Sequence, residues 1–81
     1  MTKEIAQKLQ RVYKYSKQLL GVAKQIHSID SELYMAIIEY HDLVCVLVDN
    51  LDMYSDEELN EIITEFEDVL KTLVRRMRRE V

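Results

Sequence analysis

The chain is predicted to be all-α, an antiparallel three-helix bundle with coiled-coil-like heptad seams. Apolar residues recur at alternating four- and three-residue steps through three successive stretches, the rhythm of one helix face turned to a partner. There is no proline and only one glycine in 81 residues, so few tight β-turns are available. The longest unbroken apolar run, Leu43 to Val48, is six residues, far short of the roughly 18 needed to span a membrane. A single domain, residues 1–81, is expected.

The first helix is expected over about 2–27. Ile5, Leu9, Val12, Ser16, Leu19, Ala23 and Ile26 mark its seam, and Thr2 can cap its free N–H groups. Lysines, glutamines and Arg11 occupy the opposite face together with Gly21. The second helix is expected over about 31–53, with Leu33, Ile37, Tyr40, Val44, Leu47, Leu51 and Tyr54 in its seam. The third is expected over about 56–80. Ser55-Asp56-Glu57-Glu58 reads as a capping box, in which serine and glutamate satisfy each other's N–H groups. Its seam is Leu59, Ile63, Phe66, Leu70, Leu73 and Met77, with acids in the first turn and arginines in the last, as the helix dipole favours. Short connections make up-down-up the economical topology. A hairpin of helices two and three that dimerises, with helix one swapped or projecting, is the alternative.

Charge is segregated along the chain. Residues 1–27 carry a net +5, residues 28–70 hold thirteen carboxylates and no Lys or Arg, and residues 71–81 carry +4. In the up-down-up topology Lys3, Lys8 and Arg11 lie level with the acids from Asp56 to Glu65. The arginine cluster then falls at the other end, near His27 and the start of helix two. Complementary packing of helix one beside the acidic helices accounts for the blocks most simply.

Catalytic and metal chemistry find little support. His41 and Cys45 stand one helical turn apart with Asp49 a turn further, but no glycine-rich loop supplies an oxyanion site. Glutamate does not precede either histidine by three residues, as a di-iron bundle needs. A single cysteine cannot form an internal disulfide, and one Cys with two His matches no common zinc spacing. One glycine excludes phosphate-loop and dinucleotide fingerprints, and the acidic run Glu57 to Asp68 lies in a helical pattern rather than a calcium loop. No enzyme activity and no cofactor are expected. A free thiol and a polar N-terminus that does not read as an export signal place the chain in the cytoplasm.

The expected work is therefore done by surfaces. Beyond its seam, helix two carries Met35, Ile38, Cys45 and Val46 where a simple amphipathic helix would be polar, and an all-round apolar helix needs a second covering surface. These four residues are the expected partner-binding site, for another copy of the chain or for a different protein. In size and helical content the chain is similar to bacteriocin-immunity proteins, antitoxins and phage-encoded inhibitors as a class. That likeness implies an inhibitor, adaptor or immunity-type factor carried by a mobile element. The alternative is a small nucleic-acid-binding regulator, using Arg75, Arg76, Arg78 and Arg79 with the basic face of helix one on phosphates.

Overall fold

A computed structural model describes residues 1–26 and 28–80. Three helices, α1 (Lys3–Ala23), α2 (Ser31–Asp49) and α3 (Asp56–Glu80), pack into a rod of 41 × 19 × 16 Å. A 3-10 turn, Leu51–Met53, follows α2. The expected all-α, three-helix bundle is what forms, and among the described residues no helix is long and apolar enough to cross a membrane.

Each helix begins where a side chain can satisfy its first N–H groups. Thr2 Oγ1 accepts from the Ile5 N–H at 3.1 Å, and Asp30 Oδ2 accepts from the Leu33 N–H at 3.1 Å. At α3 the capping box closes in both directions. The Glu58 N–H donates to Ser55 Oγ at 3.2 Å, and the Ser55 N–H donates to Glu58 Oε1 at 3.0 Å. The bonds to Ser55 hold the Glu58 carboxyl below the usual carboxylate range, because they favour its charged form.

Two helices end earlier than the heptad rhythm suggested. α1 stops at Ala23 rather than near 27; the Gln25 and Ile26 N–H groups reach back only three residues, to Val22 and Ala23. Such tightened bonds end the helix while half-buried Ile26 and Ile29 stay against the core. Position 27 lies outside the described residues. α2 stops at Asp49 rather than 53 because Asn50 closes it: its side-chain amide donates to the Val46 carbonyl at 2.7 Å and its backbone is no longer helical.

The seam positions make the core. Ile5, Leu9, Val12, Leu19 and Ala23 meet Leu33, Ile37, Tyr40, Val44 and Leu47, and Leu59, Ile63, Leu73 and Met77 close the third side. Phe66 and Leu70 are only half-buried. The reason is unequal packing: α1 lies against both other helices, while α2 and α3 meet over a much smaller surface. The Met1 amino group reaches Asp56 at 3.4 Å and Arg76 reaches Asp30 at 3.9 Å, so α1 and α3 run parallel and α2 runs against them.

Gly21 sits inside α1 with open space where a Cβ would stand. Gly21→Ala is expected to stabilise the bundle by about 0.5–1 kcal/mol, since alanine loses less backbone freedom in a helix. For a domain of this size that raises the melting temperature by about 2–8 °C, read by circular dichroism. A fall would show that this face is covered.

Candidate functional site

One polar residue is fully buried among those described, and it sits in the α1 seam. Ser16 has 1% of its surface exposed. Its hydroxyl donates to the Tyr13 carbonyl at 2.9 Å, the usual bond of a serine to its own helix. That uses its only proton. The 2.9 Å contact between Ser16 Oγ and His41 Nδ1 therefore has the imidazole as donor, and in the neutral ring Nε2 keeps its lone pair. Cys45 Sγ lies 3.6 Å from that Nε2, one turn along α2. The Tyr13 ring leans on the imidazole at 5.9 Å between centroids. This relay ties α2 to α1 in mid-helix, away from any helix N-terminus that would stabilise a developing anion.

The relay also divides the expected partner-binding set. Ile38 and Cys45 are half-buried, not exposed. They lie on the side of α2 that leans onto α1, the side His41 uses to reach Ser16. Met35 and Val46 do face outward, 53% and 58% exposed, and Leu43 joins them at 57%. Leu43 was not among the expected residues. It occupies the heptad position that would normally be shielded by the neighbouring helix, and it stays open because α2 and α3 meet so little. Exposed carboxylates of Glu39, Asp42 and Asp49 stand among these three apolar side chains. The outward face of α2 is thus apolar and acidic, and α2 contains no Lys or Arg.

Internal pairing neutralises little of the segregated charge. Lys8 comes level with the acidic start of α3 as expected, but its Nζ meets Asn60 Oδ1 at 3.4 Å rather than a carboxylate. Among the described residues the ion pairs within 4.0 Å are those of Asp56 with the Met1 amino group and Asp30 with Arg76. The remaining acids of α2 and of the first half of α3 present an uncompensated negative surface.

The four C-terminal arginines do not form one surface. Arg76 turns to Asp30 at the start of α2. Arg75 and Arg78, with Lys71, edge a groove of about 440 Å³ between α1 and α3, and Arg79 is exposed on α3. The groove is floored by Leu19, Leu70 and Val74 and flanked by Tyr15 and Val22, half-exposed apolar residues of α1. It was not anticipated from the sequence, although Val22, an apolar residue off the seam with Gln18 and Gln25 one turn away on either side, was a visible signal.

No protein-family model, curated protein or solved structure matches the chain.

Tyr40 marks where α2 and α3 do meet. Its ring is buried edge-on against Phe66 at 5.7 Å between centroids, and its hydroxyl donates to the Phe66 carbonyl. Burial, helped by the nearby Glu67 carboxylate, pushes the phenol well above its ordinary value. The group is a structural donor and not an acid–base catalyst at neutral pH.

Proposed function

We propose that this chain is a non-enzymatic protein-binding module, of the inhibitor, adaptor or immunity-factor kind, that engages its partner through the outward face of α2. The observation that supports this is the exposure of Met35, Leu43 and Val46 on a helix that carries no Lys or Arg. An apolar centre with a charged border is the ordinary anatomy of a protein interface. The apolar side chains supply affinity on desolvation, at roughly 25 cal/mol per Å² before association costs. The carboxylates select a partner with a basic surface and speed the encounter.

Val46→Asp tests the assignment. The residue is exposed and off the seam, so folding stability should change by no more than about 0.5 kcal/mol. Capture of the partner from the native host, followed by mass spectrometry, should be lost with the variant bait and retained with the wild type. Identical protein sets for the two baits, at unchanged melting temperature, would remove this face from the interface. Tight binding of duplex DNA at physiological salt, abolished when Arg75, Arg76, Arg78 and Arg79 are replaced by Gln, would instead favour a nucleic-acid regulator.

A further inference from the structure

We propose that the groove between α1 and α3 receives the outward face of α2 from a second copy of this chain, so that copies associate head to tail. The inference rests on the α2 face being an interaction surface and adds the identity of one occupant and its receptor.

The groove has an apolar floor and a cationic edge. Lys71, Arg75 and Arg78 line it, no carboxylate does, and among the described residues none of the three is ion-paired within 4.0 Å. Its chemistry calls for a helix that is apolar in the middle and acidic at its borders. The chain itself carries one such surface. On α2, Asp42 and Asp49 flank Val46, four residues before it and three after it. On α3, Lys71 and Arg78 flank Val74, three residues before it and four after it.

The two patterns match when the helices run antiparallel. Asp49 then faces Lys71, Val46 lies over Val74, and Asp42 faces Arg78, with each charged pair about 10.5 Å from the next along the axis. Antiparallel is also how α2 already runs against α1 and α3 within its own bundle. The docked helix would give the α1–α3 pair a second α2-like neighbour on its open side, with apolar side chains against apolar floor and carboxylates against cations.

A copy cannot fill its own groove, because its α2 packs on the other side of the α1–α3 pair. Face and groove are therefore a heterologous pair. Each copy that docks presents a fresh face or groove, so assembly continues to open chains unless the rotation between copies closes a ring.

Two charge-reversal variants isolate the two ends: Lys71→Glu with Arg78→Glu spoils the groove, and Asp42→Lys with Asp49→Lys spoils the face. All four positions are exposed, and circular dichroism checks that each variant stays folded. By light scattering the wild type should grow with concentration past twice the 9.7 kDa chain mass, while each variant alone stays at one chain mass. An equimolar mixture should grow again, because the intact face of one variant meets the intact groove of the other and the reversed face meets the reversed groove. Both reversals in one chain should restore growth.

A wild type that remains monomeric at high micromolar concentration would overturn the proposal. So would a dimer that does not grow, or variants that each assemble alone as the wild type does. If the wild type is monomeric while Val46→Asp still loses a captured host protein, the head-to-tail inference falls and the α2 interaction surface stands. If the variants assemble only when mixed, as described, but Val46→Asp captures the same host proteins as the wild type, the self-docking stands and the heterologous partner lies elsewhere.

Discussion

Ile37→Ala is expected to lower the melting temperature by about 12–24 °C. Ile37 has 0% of its surface exposed and stands at the middle of α2, facing the common core of all three helices. Truncating a buried isoleucine to alanine removes transfer free energy and leaves a cavity, about 3 kcal/mol in a site that cannot collapse. Each kcal/mol moves the midpoint of a domain this size by roughly 4–8 °C. An 81-residue chain buries only roughly 60% of its unfolded surface, so its total stability stands near the low end of the usual range. The same truncation at Met53, which is 73% exposed, is expected to change stability by no more than about 0.5 kcal/mol. Thermal and urea unfolding of the two variants side by side test the placement of the core. A loss at Ile37 no larger than at Met53 would mean that α2 is rotated about its axis.

Ser16→Ala is expected to destabilise, although it exchanges a buried polar residue for an apolar one. Two effects oppose each other. Alanine gains about 0.5 kcal/mol in helix propensity over serine. Against that, the His41 Nδ1–H loses its acceptor in a half-buried setting, at a cost of about 1–3 kcal/mol. The stranded imidazole wins by about 1 kcal/mol, a fall of about 4–8 °C in melting temperature. Nitrogen-15 spectra of the histidine ring give an independent check. The wild type should show the neutral tautomer with its proton on Nδ1, and the variant should relax towards the other. A stabilised variant with an unchanged tautomer would show that the serine and histidine are neighbours without a bond worth counting.

Ser16 also shows what periodicity alone can deliver. The four-three rhythm placed it in the α1 seam despite its polarity, and it is as deeply buried as its apolar neighbours. The rhythm could do that because it fixes direction around a helix axis, whatever the side chain. It could not supply the partner, since His41 is 25 positions away and meets Ser16 only through tertiary packing. The two caps read from sequence, Thr2 and Ser55 with Glu58, rest on interactions three residues long and formed as expected. The outward face of α2 was harder. Heptad position gave Ile38 and Cys45 the same exposure as Met35 and Val46, whereas unequal packing covers one flank and opens the other at Leu43. The groove beside Val22 depends on how two helices far apart in sequence splay. No pattern within either helix encodes that splay.

The thin meeting of α2 and α3 gives the bundle a mechanical character. With α1 gripping both partners and the two gripping each other so little, α1 behaves as a spine and the other helices as leaves hung from it. The described polar ties across the gap are the Tyr40 hydroxyl on the Phe66 carbonyl in mid-seam and the Arg76–Asp30 pair at the end. The phenol is a latch that stays closed through the neutral range and into alkaline pH, because burial raises its ionisation above the ordinary phenol value. Breathing of the molecule should begin there, the leaves parting beside Leu43 and Val69 while the spine keeps both of them attached.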